Sequence, residues 1–515
     1  MDVLPLLFDG IATALSPAIL GLTFLGVVIG LFVGAMPGLG SVNGVAILLP
    51  ATFLIQQSFS DPNDGTAAAM IFLAAIYYGA MYGGAISSIT LGIPGASTAV
   101  ATTFDGRPLA LRGDANQALV TAAIASFVGG SIANIFFTGF APPLASVALS
   151  FGPPEIFALM LLAFATFVGL GGDDIPKTIF SICFGLTMAA VGFDQISGEP
   201  RLIFFDVIGF MHGINFLVLA IGVYGIGEML WTIYTTREKI TMTDAQISFA
   251  GVMRATGRTF TRGWKGMSIG SGLGFFVGIL PAAGATPGSL MSYGIAKMTA
   301  SKPEEFGKGA IDGVAAPEAA NNSASTGAML PMLTLGIPGS PTTAVLLGGM
   351  VIWGLTPGPR LFTDQPEFVW PLIGSFYVAN LISLIVNLAF IPLFLWMLRM
   401  PFTILAPIIF TLSIVGGFAA TQDMHDVWLM VFFGLGAFFL RILDYPLAPA
   451  VLAIVLGPIA EPTLRQSLLL SDGDPMIFVE RPIAGPITII AIILILLPVF
   501  KFFWARRHGK TETAS

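Results

Sequence analysis

The sequence of 515 residues is poor in charged side chains, which make up 10% of it, whereas hydrophobic residues make up 55%. Soluble domains carry about 25% charged residues, so a soluble protein is excluded. One cysteine, Cys183, excludes an intrachain disulfide framework and a cysteine-rich metal site. The net charge of −7 argues against a nucleic-acid partner. The class that remains is a polytopic α-helical membrane protein.

Apolar runs of the length that crosses a bilayer, about 20 residues, recur along the chain. They are continuous, which favours helices over the short alternating strands of a β-barrel. The ten longer runs lie near 11–35, 66–93, 117–148, 155–171, 177–193, 207–234, 371–397, 402–420, 427–443 and 483–504. Shorter runs, interrupted by glycine and proline, lie near 40–55, 267–280, 283–296, 313–337, 344–354 and 446–460. We predict 11 to 15 membrane segments.

Lysine and arginine are absent from residues 1–106. The longest polar stretch, about 235–265, is rich in them, and so is the C-terminal tail. Because basic loops stay in the cytoplasm, we predict that 235–265 and the C-terminus lie inside. The N-terminus and the 56–65 loop then lie outside. No basic region precedes the first apolar run, so we expect no cleavable signal peptide.

Two sequence motifs recur with one offset. GLFVGAMPGLGSVNG at 30–44 matches GFFVGILPAAGATPG at 274–288, and TLGIPG at 90–95 recurs unchanged at 334–339. Both pairs are displaced by 244 residues, which composition bias alone would not preserve. We therefore predict a duplication. Its expected parts are a first membrane repeat (1–236), a cytoplasmic connecting loop (237–265), a second membrane repeat (266–460), and a C-terminal helix with a cytoplasmic tail (461–515).

Equivalent loops of the two repeats differ in charge. The 56–65 loop has no lysine or arginine, whereas its counterpart, 297–312, has three lysines. The loop after the first TLGIPG holds two arginines, whereas its counterpart, 355–370, holds one against two acids. Such a flip is what inverted-topology repeats require. The expected fold is an all-α polytopic membrane protein. It has two inverted repeats, with broken helices or re-entrant hairpins, and an extra C-terminal helix.

Four uncharged motifs rich in glycine and proline predict the site. Proline breaks a helix, and glycine permits close backbone approach. Unwound backbone at membrane depth must be buried or line a polar cavity, where half-helix N-termini suit a carboxylate and carbonyls suit Na⁺. The alternative is that these residues only permit tight helix packing. The predicted substrate- and ion-binding residues are Pro37, Gly38, Gly40, Asn43, Gly92, Pro94, Gly95, Ser97, Thr98, Pro281, Gly284, Thr286, Gly288, Asn321, Asn322, Ser323, Gly336, Pro338, Gly339, Thr342 and Thr343.

Other polar residues have simpler interpretations. The polar run at 321–326 is either an interfacial helix N-cap or a polar wall of the site. Glu318 is interpreted as an interfacial charge, with a coordinating carboxylate as the alternative. Arg441 and Asp444 are spaced i, i+3 and are expected to pair with each other. The three histidines are not grouped at metal spacing, so we expect no cofactor and no metal beyond Na⁺.

The chain resembles the TctA family, the large membrane subunit of tripartite tricarboxylate transporters. The segments that carry the resemblance cover both halves of the chain. They are PGLGSVNGVAILLP at 37–50, ITLGIPGASTAVATTFDG at 89–106, GILPAAGATPG at 278–288 and NNSASTGAMLPMLTLGIPGSPTTAVLLGGM at 321–350.

The resemblance implies a translocating subunit of a bacterial inner-membrane secondary carrier. The outside face that loop charge predicts for the N-terminus is then the periplasm. It implies two partners, a small membrane subunit of about four helices and a periplasmic solute-binding protein. Di-, tri- or aromatic carboxylates are the implied substrates, and a cation gradient, typically Na⁺, is the implied driving force.

Two other classes of function compete with a carrier. A membrane-embedded enzyme would need a base or nucleophile in the apolar spans, and Cys183 and the scattered histidines form no such cluster. A passive channel would more commonly use a ring of residues in a homo-oligomer. A stand-alone H⁺-coupled organic-anion carrier is a further alternative. The chain has no GxxxxGK[ST] motif, so ATP bound by this chain is not the expected energy source.

Overall fold

The computed structural model describes residues 3–36, 39–170, 174–194, 198–203, 208–235, 249–281, 283–397 and 402–507. These residues are almost entirely helical. The described strands are Gly192–Phe193 (β1) and Pro200–Arg201 (β2), which pair antiparallel with Gly192 opposite Arg201. The prediction of an all-α protein is therefore confirmed.

The helices of the first half begin near the N-terminus and end at Thr235. They are α1 (Val3–Ala14), α2 (Pro17–Ala35), α3 (Gly40–Leu48), α4 (Ala51–Gln57), α5 (Pro62–Thr90), α6 (Val100–Leu109), α7 (Ala115–Ala148), α8 (Pro153–Leu170), α9 (Ile175–Ala189), α10 (Phe216–Ala220) and α11 (Glu228–Thr235). Short 3₁₀ turns form at Ser97–Ala99 and Ile208–His212, and wider π turns at Ala110–Asp114 and Ile221–Gly227.

The helices of the second half follow the segment 236–248, which lies outside the described residues. They are α12 (Phe249–Arg262), α13 (Trp264–Ile279), α14 (Ala285–Thr299), α15 (Ile311–Leu335), α16 (Pro341–Ile352), α17 (Leu361–Asp364), α18 (Pro366–Met397), α19 (Phe402–Thr421), α20 (Met424–Ile442), α21 (Leu447–Leu470), α22 (Ile477–Glu480) and α23 (Ala484–Arg507). A 3₁₀ turn forms at Pro303–Glu305.

Seven helical segments among the described residues are long and apolar enough to cross a membrane. They are Pro17–Ala35, Pro62–Thr90, Ser97–Ala148, Val218–Thr235, Pro366–Phe394, Met424–Ile442 and Leu447–Leu470. Six shorter apolar helices accompany them. Helix α15 belongs neither to the seven long apolar segments nor to the six shorter ones, because its middle is polar. It is nevertheless buried from Gly313 to Thr334. The lengths and apolar character of these helices identify a polytopic membrane protein.

The duplication is preserved in the packing of the helices. A Cβ atom built on Gly34 in α2 would lie 2.1 Å from the carbonyl oxygen of Ala80 in α5. At the positions displaced by 244 residues, a Cβ on Gly278 in α13 would lie 2.3 Å from the carbonyl oxygen of Ala324 in α15. Only glycine permits so close an approach. The pair α2–α5 and the pair α13–α15 are therefore equivalent.

The equivalence extends beyond these central pairs. Helix α1 packs on α18 and α12 packs on α7, while α9 packs on α21 and α20 packs on the 221–227 turn. Helix α12 lies within the predicted connecting loop 237–265, and α21 runs across the predicted boundary at 460 to Leu470. Helix α23 packs on α8 as the predicted extra C-terminal helix. The packing of α12 to α21 thus corresponds to that of the elements from α1 to the 221–227 turn, and the domain bounds remain a prediction.

The two repeats are inverted. The Asp105 carboxylate in α6 accepts from the backbone N–H groups of Gly309 and Ala310, both at 2.7 Å. Asp105 lies two residues before Arg107, whose side chain donates to the Thr90 carbonyl at the end of α5. Gly309 and Ala310 therefore lie near the end of α5. The position equivalent to Gly309, residue 65, lies at the start of α5. Equivalent positions therefore lie on opposite faces of the bundle, as inverted repeats require.

The pairing predicted for Arg441 is wrong. Helix α20 ends at Ile442, so the helical i, i+3 spacing does not continue to Asp444. Arg441 instead donates to the Glu228 carboxylate and lies over the Trp231 ring, 4.8 Å from its centroid. This ion pair joins α11 to the end of α20.

Cysteine labelling checks the predicted orientation. In a Cys183→Ser background, single cysteines at 60, 250 and 305 occupy exposed positions. A membrane-impermeant maleimide added to intact cells is expected to label position 60 and neither of the others, because basic loops stay inside. The same reagent added after permeabilisation is the control for reactivity. Labelling at 250 or 305 but not at 60 in intact cells would show that the orientation is the reverse of the predicted one.

Candidate functional site

Four breaks between helices form at the predicted glycine and proline motifs. They separate α2 from α3, α5 from α6, α13 from α14, and α15 from α16. Gly40 (φ +58°) and its equivalent Gly284 (φ +67°) are both left-handed, and so are Gly92 (φ +74°) and its equivalent Gly336 (φ +71°). Residues with a side chain rarely adopt this backbone conformation. The two halves therefore break their helices at the same places and in the same way.

The second break of each half packs against the first. A Cβ on Gly95 would lie 1.9 Å from the carbonyl oxygen of Gly34, at the C-terminal end of α2. The equivalent Cβ on Gly339 would lie 2.7 Å from the carbonyl oxygen of Gly278, at the end of α13. Each half thus presents its two breaks side by side.

Hydroxyl groups join the breaks of one half to those of the other. Ser41 Oγ and Thr342 Oγ1 share a hydrogen bond of 2.9 Å, and Ser97 Oγ and Thr286 Oγ1 share one of 3.1 Å. Ser41 and Thr342 are buried, whereas the Ser97–Thr286 pair is exposed. We call these four residues the hydroxyl cluster. All four breaks therefore meet at one place between the repeats.

The N-terminus of α16 is capped at this place. Ser340 Oγ accepts from the Thr343 N–H at 3.2 Å, and Thr343 Oγ1 accepts from the Ser340 N–H at 2.8 Å. This reciprocal capping box engages the Thr343 hydroxyl within its own helix. The Tyr77 hydroxyl of α5 lies 3.3 Å from Ser340 Oγ. Tyr77 thereby links the cap of the second half to the first half.

The other predicted site residues, apart from those at 321–323, fall into three groups. Pro37 and Gly38 lie outside the described residues. Residues of the breaks themselves lie within six residues of a hydroxyl-cluster residue along the chain; they are Gly40, Gly92, Pro94, Gly95, Thr98, Pro281, Gly284, Gly336, Pro338 and Gly339. Of these, Gly92 faces the Arg107 side chain and Gly336 faces the Pro357 carbonyl. Helical residues next to the breaks are Asn43 of α3, which is buried, and Gly288 of α14, which packs against α13.

The polar run at 321–326 lies in the middle of α15 and is buried, so its interpretation as an interfacial N-cap is wrong. Two of its side chains, those of Asn321 and Ser323, donate hydrogen bonds to neighbouring helices. The Asn321 amide donates to the Met81 carbonyl at 3.1 Å, and the Ser323 hydroxyl donates to the Ser271 carbonyl at 2.5 Å. Asn322 is fully buried. The hydrogen bonds of Asn321 and Ser323 hold α15 against α5 and α13.

Glu318 is also buried, with no exposed side-chain surface, so its interpretation as an interfacial charge is wrong. Helices α6 and α7 cover it, because the Thr102 and Ser126 hydroxyls donate to its carboxylate. The sequence showed only its place near the start of an apolar run. Helices distant in sequence decide its burial.

Sequence reasoning missed Ser41, Ser340 and Tyr77. The position equivalent to Ser41 in the second half is Ala285, so comparison of the repeats does not single out a hydroxyl there. Ser340 and Tyr77 have no local signal beyond their residue types. Among the described residues no group of three or more His, Cys, Asp or Glu is placed to hold a metal ion. The chemistry available at the cluster is that of hydroxyls, backbone N–H groups and carbonyls.

A cavity of about 590 Å³ lies apart from the hydroxyl cluster, beside the C-terminal half of α16. Arg201 and Glu461 line it and pair at 2.7 Å, and Arg465 bridges Glu461 to Asp194 at 2.7 and 2.9 Å. The hydrogen bonds that Arg201 donates to the Glu461 carboxylate raise the pKa of Arg201 above its usual value. This network ties the β1–β2 hairpin to α21.

Comparison with known proteins places the chain among membrane transport proteins. The chain is 37% identical to the "Uncharacterized 52.8 kDa protein in TAR-I ttuC' 3'region" of Agrobacterium vitis over 503 residues, 97% of each chain. It is 39% identical over 229 residues to the "Uncharacterized protein in TAR-II ttuC' 3'region" of the same organism, 44% of this chain and 94% of the relative. No solved structure matches. Residues 20–452 match the tripartite tricarboxylate transporter TctA family. The chain therefore belongs to the TctA family, the large membrane subunit of tripartite tricarboxylate transporters.

Proposed function

We propose that this chain is the translocating subunit of a Na⁺-coupled secondary transporter in a bacterial inner membrane. Its substrate is a di-, tri- or aromatic carboxylate, which a periplasmic solute-binding protein delivers. A small four-helix membrane subunit completes the assembly. Membership of a transporter family supports a carrier and not an enzyme.

The observation that carries the proposal is the meeting of four helix breaks at the hydroxyl cluster. Helices α3, α6, α14 and α16 begin at or just after these breaks, so their N-terminal N–H groups are concentrated there. The positive ends of helix dipoles favour an anion. The four motifs contain no lysine or arginine. Backbone N–H groups and hydroxyls therefore supply the binding of a carboxylate.

Inverted repeats give the site its means of transport. Transporters of this architecture bind substrate at the interface of the repeats and expose it alternately to each side. The hydroxyl cluster lies at that interface, because each of its two hydrogen bonds joins the first half to the second. A carrier that accumulates its substrate is therefore favoured over a passive channel.

The orientation proposed for the membrane rests on charge. The loops that contain Arg112 and Lys308 lie on one face of the bundle, since Gly309 and Ala310 contact Asp105. Both are loops that the positive-inside rule assigns to the cytoplasm. Their placement on one face supports a periplasmic N-terminus and a cytoplasmic C-terminus.

Replacement of Na⁺ by choline at constant pH is expected to abolish uptake. The test uses proteoliposomes that contain the large and small membrane subunits, with the binding protein and a radiolabelled carboxylate outside. Accumulation above the external concentration is expected only with an inward Na⁺ gradient. A gramicidin-treated sample, in which the gradient is lost, is the control.

Three outcomes would contradict the proposal. Undiminished uptake in choline, driven by a pH gradient, would indicate H⁺ coupling. Equilibration without accumulation would indicate a channel. Accumulation by the large subunit alone, without the binding protein, would indicate a stand-alone carrier.

A further inference from the structure

The buried carboxylate of Glu318 lies where three helices meet. Glu318 belongs to α15, and its carboxylate accepts from Thr102 Oγ1 of α6 and, at 3.1 Å, from Ser126 Oγ of α7. Thr102 is fully buried and Ser126 is 1% exposed. A carboxylate and two hydroxyls from three helices thus face one another away from solvent.

Among the buried acids of the described residues, three form ion pairs, whereas Asp105 and Glu318 form none, and Glu318 differs from Asp105 in accepting no backbone N–H group. Glu155 pairs with Arg481, Asp194 with Arg465 and Glu228 with Arg441. Asp105 accepts two backbone N–H groups and the Tyr293 hydroxyl. No described lysine, arginine or histidine forms an ion pair with Glu318; its side-chain partners are the hydroxyls of Thr102 and Ser126 and the Asn321 side chain, all of them neutral. An uncompensated carboxylate within a membrane protein is costly and marks a functional site.

Oxygen atoms without hydrogen-bond donors lie next to Glu318 along the helix. The side-chain carbonyl oxygens of Asn321 and Asn322 accept no hydrogen bond from any described residue. The two residues are 1% and 0% exposed, so water does not supply the missing donors. They follow Glu318 by three and four residues, which places them one helical turn away. The region therefore has more oxygen acceptors than donors, which a cation would balance.

This region adjoins the hydroxyl cluster. Thr102 follows Ser97 by five residues, at about 1.5 Å per residue of helix. On the other side, Ser289 of α14 follows Thr286 by three residues and donates to the Pro317 carbonyl at 3.2 Å. Glu318 thus lies about one to two helical turns behind the Ser97–Thr286 hydrogen bond.

We propose that Glu318, Thr102 and Ser126 bind the coupling Na⁺, with Asn322 as a further oxygen ligand. Carboxylate, hydroxyl and amide oxygens are the donors that hard cations prefer. The position equivalent to Glu318 in the first half is Ala74, so the duplication supplies one such site and not two. The role of this Na⁺ as the coupling ion rests on the proposed carboxylate transport. The binding of Na⁺ at Glu318 does not depend on that proposal.

The cation explains how ion and substrate help each other to bind. A positive charge at Glu318 neutralises the carboxylate and removes its repulsion of an anionic substrate at the hydroxyl cluster. The substrate's negative charge in turn favours the cation. This mutual effect on affinity is reciprocal by thermodynamic necessity.

Thermal unfolding of the purified full chain in detergent tests the site without substrate or partner subunits. NaCl is titrated against choline chloride at constant ionic strength and pH. Wild-type protein is expected to unfold at a temperature that rises with Na⁺ and saturates. Glu318→Gln keeps the size and removes the charge, and it is expected to raise the half-saturating Na⁺ concentration at least ~10-fold. Thr102→Val, which removes one ligand, is expected to raise it in the same direction.

Glu155→Gln is the matched control. Glu155 is also buried, but Arg481 compensates its charge. This variant is expected to unfold at a lower temperature while its half-saturating Na⁺ concentration stays that of wild-type protein. If Glu318→Gln does not yield folded protein, Glu318→Asp takes its place; it keeps the charge and shifts the carboxylate, so saturation at a higher Na⁺ concentration is expected.

Three results would overturn the site. The first is that Na⁺ does not stabilise wild-type protein. The second is that the Glu318 and Thr102 variants have the same half-saturating Na⁺ concentration as wild-type protein. The third is that acid stabilises wild-type protein in place of Na⁺ and that Glu318→Gln removes this stabilisation. The last result would identify a proton site. The unfolding assay contains no carboxylate substrate, so none of these results decides whether the chain transports one. The uptake assay decides that separately.

Discussion

Thr342→Val is expected to raise the apparent KM for the carboxylate by about 10- to 150-fold, which corresponds to the loss of one hydrogen bond to a charged ligand, about 1.5–3 kcal/mol. The Thr342 hydroxyl lies at the N-terminus of α16 and shares a hydrogen bond with Ser41 across the two halves. Valine preserves the shape and removes the hydroxyl. Initial uptake rates as a function of substrate concentration, with membrane expression measured by immunoblotting, give the result.

Thr334→Val is the matched control for this prediction. Thr334 is fully buried in α15, and its hydroxyl donates only to the Leu330 carbonyl of the same helix. Its replacement is expected to leave the KM unchanged. If Thr342→Val and Ser41→Ala both show wild-type kinetics at normal expression, the motifs serve helix packing alone and do not bind substrate.

Gly34→Ala and Gly278→Ala are each expected to abolish the yield of folded protein. The added methyl group would lie 2.1 Å and 2.3 Å from a backbone carbonyl oxygen of the partner helix, Ala80 and Ala324 respectively. Backbone cannot rotate away as a side chain can, so helices must separate. Moderate overpacking already costs about 1–3 kcal/mol. Size-exclusion chromatography of the solubilised protein measures the monodisperse fraction.

Gly21→Ala and Gly272→Ala are controls on the same two helices. No atom lies within 4 Å of the Cβ position at either glycine. Alanine also favours the helix over glycine by about 1 kcal/mol, so wild-type yield is expected. Normal yield of Gly34→Ala together with loss of Gly278→Ala would show that the two halves are not packed equivalently.

The duplication was predictable because its signals are local. Each glycine and proline motif fixes a break within a few residues, and the constant offset of 244 residues relates the breaks in pairs. The left-handed glycines at 40, 92, 284 and 336 follow from those motifs. The predicted class of fold and the inverted arrangement were therefore available from the sequence alone.

The contacts that complete the site were not predictable in this way. Ser41 and Thr342 are 301 residues apart, so nothing near either one indicates the other. The burial of Glu318 depends on α6 and α7, whereas hydropathy along the chain registers only a charge near a helix start. Likewise, the polar run at 321–326 resembles a helix end only until Tyr78 and Asn134 are placed against Thr326.

The close glycine contacts determine which parts of the molecule can move. Helices α2 and α5 touch backbone to backbone, and so do α13 and α15, so each pair behaves as a rigid body that does not slide or open without unfolding. The contacts between the two bodies at the cluster are paired hydroxyls, which exchange readily with water or ligand. Rocking of one body against the other would separate Ser41 from Thr342 and Ser97 from Thr286, and it would also have to break the buried hydrogen bonds that join α5 to α15, those of Tyr78 with Thr326 and of Asn321 with Met81.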